Sequence, residues 1–177
     1  QFAATLFYFK KKSVLQKAIH HLKYNNKSKI GEYFGRLIAL EANNLSALTE
    51  ADYLLPMPLH PKKRNERGYN QSYYIAKGIS ELMPRTIENK VVSRVKNTSS
   101  QTKMNKKERI ENMKDAFFWE GKFEYKHILL IDDDQVEHQL IKRMLKDCYK
   151  GPFLLRYADS LEKAVTVLKT QALLILP

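Results

Sequence analysis

Two stretches of this 177-residue chain concentrate side chains able to do chemistry. The first is Pro58-Leu59-His60-Pro61-Lys62-Lys63-Arg64-Asn65-Glu66-Arg67-Gly68-Tyr69-Asn70-Gln71, with four cations at Lys62, Lys63, Arg64 and Arg67. It joins an apolar run to a helical pattern, the kind of connection at which open parallel sheets bind ligands. Cations ahead of a helix N-terminus suit phosphate or pyrophosphate, and Gly68 could let backbone N–H groups approach such an anion. The same charges also suit a solvated loop, and spacing alone leaves both readings open. The second stretch is Asp132-Asp133-Asp134, directly after the apolar run His127-Ile128-Leu129-Leu130-Ile131.

Other reactive side chains lack a supporting pattern. His20-His21, His60 and His138 show no metal-ligand spacing and read as surface or loop residues. Cys148 reads as a packed helix residue. As the single cysteine it excludes an intrachain disulfide and a cysteine-rich zinc site within this chain, and it fits a reducing, cytoplasmic setting.

The elements that must position these residues follow from periodicity. Ser13 to Tyr24 reads as a helix with Val14, Leu15, Ala18, Ile19 and Leu22 on one face, and Ile30, Tyr33, Phe34, Leu37 and Ile38 mark a second. Tyr53-Leu54-Leu55 is a buried strand that must end at Pro56 and Pro58, since proline cannot donate to a ladder. Leu59 to Gly68 reads as a loop. Tyr69, Tyr73, Ala76, Ile79 and Leu82 form a helix stopped near Pro84, and Val91 to Val95 is a strand. Lys96 to Asn112 has almost no apolar residue, so it is an exposed helix or a loop that cannot pack a core. His127 to Ile131 reads as a strand buried on both faces of a parallel sheet. Beyond it come a helix with Val136, Leu140, Ile141, Met144 and Leu145, a strand at Phe153 to Tyr157, a helix from Asp159, and a strand at Ala172 to Leu176. The expected fold class is α/β, a parallel sheet flanked by helices.

Charge divides the chain. Lys and Arg total 31 against 19 Asp and Glu, a formal net charge of +12. Residues 1–126 hold 24 against 12 and residues 127–177 hold 7 against 7, so the whole excess precedes His127. An anionic partner is therefore expected. No apolar run approaches the roughly 20 residues of a membrane helix, so no membrane partner is expected. A start at Gln1 without Met suggests truncation.

Leu-Pro-Met-Pro-Leu-His-Pro-Lys-Lys-Arg-Asn-Glu-Arg-Gly-Tyr-Asn-Gln from Leu55, the segment Arg94 to Trp119, and His-Ile-Leu-Leu-Ile-Asp-Asp from His127 together resemble the ComF family of competence-associated, type I phosphoribosyltransferase proteins, over about residues 8–133. The resemblance implies a type I phosphoribosyltransferase-like sheet and a ligand such as phosphoribosyl pyrophosphate or another phosphorylated small molecule. Pro58, Leu59, His60 and the residues to Arg64 would form the pyrophosphate loop, followed by the signature Arg67-Gly68-Tyr69-Asn70-Gln71. Arg94, Thr98, Gln101, Arg109, Asn112 and Phe117 align with a flexible loop that closes over substrate, with Arg94, Gln101 and Arg109 as its catalytic members. Arg64, Arg67 and Arg109 would hold phosphate, and Asp132 and Asp133 would take ribose hydroxyls or Mg²⁺. The resemblance also implies a role in DNA uptake, with DNA as a further partner that the charge permits.

Two departures stand out. The cysteine-rich zinc module of full-length members is absent, and the Thr-Thr-Gly-type turn that holds the 5′-phosphate is replaced by Asp134-Gln135-Val136-Glu137-His138. Added carboxylates there repel a phosphate, so weak or absent binding of phosphoribosyl pyrophosphate is expected and transferase activity stays open. From His127 onward the chain is similar to response-regulator receiver domains, whose acidic pair binds Mg²⁺. Leu173 to Leu176 runs into Pro177 without the phosphoacceptor aspartate, so phosphorelay chemistry is expected to be incomplete. Residues 1–126 and 127–177 are thus expected to be a ComF-like region joined to the first half of a receiver. A single diverged phosphoribosyltransferase-like domain is the rival. A pseudo-receiver signalling module and a nucleic-acid-binding accessory protein are the alternative functions. The oligomeric state is not legible.

Overall fold

A computed structural model of the chain describes residues 3–4, 14–40, 49–98, 108, 115–120, 127–131 and 154–158. Two helices come first after the short strand β1 (Ala3–Ala4). They are α1 (Val14–Tyr24) and α2 (Ser28–Leu40), joined by a turn in which Asn26 adopts a left-handed φ of 53°. Asparagine tolerates that conformation, which turns the chain out of α1. Next are β2 (Tyr53–Pro56), the seven-residue α3 (Pro61–Arg67), α4 (Gln71–Leu82) and the two-residue β3 (Thr86–Ile87). Finally come β4 (Val92–Arg94), β5 (Phe117–Trp119), β6 (His127–Ile131) and β7 (Leu154–Ala158).

β1, β7, β6, β2 and β3, in that order, form a five-stranded sheet in which every pairing is parallel. Leu54 is level with Leu129 and Pro56 with Ile131. The start of β6 is fastened to the start of β2: the Asp52 N–H donates to the His127 carbonyl, and the His127 N–H donates to Asp52 Oδ2, both at 3.0 Å.

The unbroken apolar runs of β2 and β6 are explained by cover on both faces. Leu54, Leu129 and Ile131 pack with Ala39, Ala76 and Ile79 beneath α2 and α4. Leu55, Ile128 and Leu130 face the other way, against Val92, Phe117 and Trp119 of an antiparallel ribbon made by β4 and β5. Burying such side chains contributes roughly 1.5–3 kcal/mol each. A third cluster, Leu22, Phe34 and Tyr69, ties α1 to α2 and to the turn just ahead of α4.

α2 and α4 meet through glycine. A Cβ on Gly35 would lie 2.1 Å from the Ile75 carbonyl oxygen, and one on Gly78 would lie 2.0 Å from that of Glu32. No side chain fits between the two backbones there. Arg85, just beyond α4, donates from Nε to the Ala51 carbonyl at 2.6 Å and from Nη2 to that of Thr49 at 3.0 Å, tying the start of β2 to the end of α4.

The α/β expectation holds for the described residues: a small parallel sheet flanked by helices. Three local expectations change. The segment 59–68 contains a helix, because Pro61 supplies a preset φ at its first turn, His60 caps its start and Gly68 ends it. The strand expected at 91–95 is three residues long and lies in the separate ribbon. β1, β3 and β5 have no sequence counterpart. The helices expected after residues 134 and 159 and the strand at 172–176 lie outside the described residues.

Candidate functional site

β2 and β6 end together, and the Met57 N–H extends their ladder by donating to the Ile131 carbonyl at 3.0 Å. Met57 is buried, while Pro58, Leu59 and His60 are half-buried and carry the chain off this edge into α3. His60 Nδ1 accepts from the Lys62 N–H at 3.2 Å, so His60 serves as the N-cap.

α3 buries none of its residues: Lys62 and Arg64 are exposed, and Lys63 and Arg67 are half-buried. Gly68 has φ +79°, a left-handed conformation, and its N–H donates to the Arg64 carbonyl at 2.8 Å. Gly68 thus ends α3, and its own N–H is taken by the Arg64 carbonyl.

Asn70 joins the turn to the sheet. Its Nδ2 donates to the Met57 carbonyl at 2.9 Å, and its Oδ1 accepts the Ser72 N–H at 3.0 Å, capping α4. Gln71 Oε1 accepts from Arg67 Nη1 at 2.9 Å, which fixes the guanidinium at the junction of α3 and α4. Arg67 Cζ also lies 5.5 Å from the centroid of the Tyr24 ring. Between them, buried Tyr69 donates its hydroxyl to the Leu22 carbonyl. Burial pushes the Tyr69 phenol above its ordinary pKa; the nearby Arg67 charge pulls the other way, and Tyr74 adds to the rise. Phosphate-binding candidates Arg64, Arg67, Asn70 and Gln71 thus sit on one continuous turn at the carboxyl end of β2.

Arg94 lies elsewhere, on the ribbon. It is only 6% exposed; Nη2 donates to Thr98 Oγ1 at 2.6 Å, and its guanidinium lies 5.4 Å from the centre of the Phe117 ring. The Val95 N–H donates to the Ala116 carbonyl at 2.9 Å, so the two flanks of the 99–114 segment meet beside Arg94. Gln101, Arg109, Asn112, Asp132 and Asp133 lie outside the described residues, and with them the expected Mg²⁺ ligands. Among the described residues no group of three His, Cys, Asp or Glu is placed to hold a metal ion. Nor, among them, is any helix long and apolar enough to cross a membrane.

Sequence reasoning missed the Tyr24–Arg67 and Tyr69–Leu22 contacts. Tyr24 is marked in the sequence only as a helix end, and nothing local announces a partner more than forty residues away.

The chain is similar to DNA utilization protein YhgH of Escherichia coli K12 and of Shigella flexneri, each 29% identical over 122 residues, which are 67% of this chain and 54% of the relative. It is also similar to Competence protein F of Haemophilus influenzae, 30% identical over 121 residues, 65% of this chain and 53% of that protein. These matches support a ComF-family relationship. The chain spans about half the length of the curated relatives it matches. No family model matches the chain. The ComF likeness read from the turn after β2 therefore has independent support, whereas the receiver-like reading of residues 127–177 gains none.

Proposed function

We propose that this chain takes part in DNA utilization or competence, and that the turn from Met57 to Gln71 binds the phosphate or pyrophosphate of a small molecule, a phosphoribosyl compound being the expected class. The observation that carries this is the placement of α3. Its cations Lys62, Lys63, Arg64 and Arg67 sit at the carboxyl end of β2, the ligand-binding edge of parallel sheets. The names of the relatives support the wider role.

The chemistry follows from the side chains. Arg64, exposed, and Arg67, held by Gln71, present guanidinium N–H donors suited to a phosphate in bidentate geometry. Asn70 holds the turn to the sheet so that the cations do not drift. Asp132 and Asp133, next in sequence after β6, are proposed to take ribose hydroxyls or Mg²⁺. Arg94, Gln101 and Arg109 are proposed to act during transfer if the protein is a phosphoribosyltransferase. Asp134-Gln135-Val136-Glu137-His138 in place of a Thr-Thr-Gly-type turn argues for pyrophosphate-dominated binding without efficient transfer.

Calorimetric titration with pyrophosphate and with phosphoribosyl pyrophosphate, each with Mg²⁺, tests this. Binding of pyrophosphate, weakened at least tenfold in Arg64→Ala, is expected, with phosphoribosyl pyrophosphate binding no more tightly because the carboxylates after β6 oppose its 5′-phosphate. Absence of binding at millimolar ligand overturns the reading.

A further inference from the structure

The end of α1 carries an aromatic ring that folding does not hide. Tyr24 is 64% exposed, yet His20 packs against it at 4.9 Å between ring centroids and Arg67 lies over it. The Tyr69 hydroxyl bond to the Leu22 carbonyl pins α1 to the α3–α4 junction two residues before that ring. The ring is therefore fixed in place and open to solvent.

Around it the charge is one-sided. Residues 14–31 contain Lys17, Lys23, Lys27 and Lys29 and no Asp or Glu, and α3 adds Lys62, Lys63, Arg64 and Arg67 against Glu66. The outer face of α2 and α4 differs, since Glu32 pairs with Lys77 at 2.5 Å and Glu81 with Arg36 at 2.8 Å. We propose that the seam of α1 and α3 is a docking surface for single-stranded nucleic acid, with Tyr24 as the stacking platform and the lysines and arginines as partners of the phosphates. Bases stack on exposed aromatic rings whatever their identity, while a cationic surface follows the backbone. An acidic protein would use the cations and have no need of the ring. Duplex DNA would keep its bases from the ring. The proposal rests on the DNA-linked half of the function proposed above and adds a surface on α1 to it.

Fluorescence anisotropy with a labelled oligothymidylate, over a series of salt concentrations, tests the surface in the full chain. Tyr24→Ala is expected to weaken binding about tenfold and Tyr24→Phe to bind as wild type. Lys27→Glu, at an exposed turn position, is expected to lower affinity and to flatten the dependence of log affinity on log salt by about 0.7 for each phosphate that is no longer neutralised. Pyrophosphate binding by Lys27→Glu, which lies outside the turn from Met57 to Gln71, stays at the wild-type level, so failure of the phosphate site and failure of this surface are read separately. The proposal is overturned if wild type does not bind the oligonucleotide in low salt, or if Tyr24→Ala and Lys27→Glu bind like wild type. It is also overturned if polyglutamate, at equal charge, displaces the labelled oligonucleotide from wild type as well as unlabelled oligothymidylate does.

Discussion

Replacing Gly78 by alanine tests the helix pair that carries the phosphate turn. In an open helix position the change would stabilise by about 1 kcal/mol through backbone entropy. Here the added Cβ would lie 2.0 Å from the Glu32 carbonyl oxygen, where ordinary contact begins near 3.4 Å. The obstacle is backbone on another helix, so no rotamer change relieves it. α2 and α4 must part by about 1.4 Å, the difference between those two distances. A gap of even 0.5–1 Å forfeits about a quarter to a half of each dispersion interaction. Ile79, Ala76 and Ala39 share this packing, and overpacking of a tight core typically costs about 1–3 kcal/mol. Because this clash is with backbone, a net loss near the top of that range, about 2–3 kcal/mol, is expected. With a urea slope of about 2 kcal/mol/M, the midpoint of unfolding followed by far-UV circular dichroism falls by about 1–1.5 M. Gly35→Ala acts on the same gap and the double variant costs less than the sum. A Gly78→Ala midpoint equal to or above wild type would refute the close approach.

Gly68→Ala is expected to lose about 1–2 kcal/mol through its positive φ, and Gly68→Asn less; equal midpoints in urea would deny the left-handed cap. Asn70→Ala removes both the cap of α4 and the bond to the Met57 carbonyl, for a loss of about 1–2 kcal/mol by the same measurement, and Asn70→Asp recovers the cap alone. Tyr69→Phe leaves the Leu22 carbonyl without that donor, at about 0.5–1.5 kcal/mol near neutrality. The Tyr69 phenol is raised above 10.0, so its protonated form is favoured in the fold. Its contribution is complete below about pH 10, where the unfolded phenol is protonated, and fades as pH rises through the folded value. Urea midpoints should therefore drop more steeply above about pH 10 in wild type than in Tyr69→Phe, and parallel curves would contradict that.

What the sequence disclosed follows the strength of each signal. α1, α2 and α4 repeat apolar residues at helical spacing, and β2 and β6 are continuous apolar runs because α2 and α4 cover one face and the ribbon the other. α3 buries nothing, so it has no apolar stripe to read; only its ends, His60-Pro61 and Gly68, mark it as a helix. β3 and β5 are two and three residues long, below the length at which alternation is visible. The cluster of cations after β2 is legible as composition, but its division into exposed Arg64 and a tethered Arg67 is not, since Gln71 and Tyr24 are what hold Arg67. Arg94 is a cation that sequence marks for chemistry, and its burial against Phe117 and Thr98 emerges only once the ribbon is assembled.

The most direct test of the phosphate turn is calorimetric titration of wild type and Arg64→Ala with pyrophosphate and Mg²⁺. Arg64 is exposed, so its removal leaves the fold intact while deleting one guanidinium, and hydrogen bonds to charged groups contribute about 1.5–3 kcal/mol. The expected result is saturable binding by wild type, weakened at least tenfold in Arg64→Ala with the unfolding midpoint unchanged. Equal binding by the two proteins, or no heat at millimolar ligand, would contradict a phosphate site at the carboxyl end of β2.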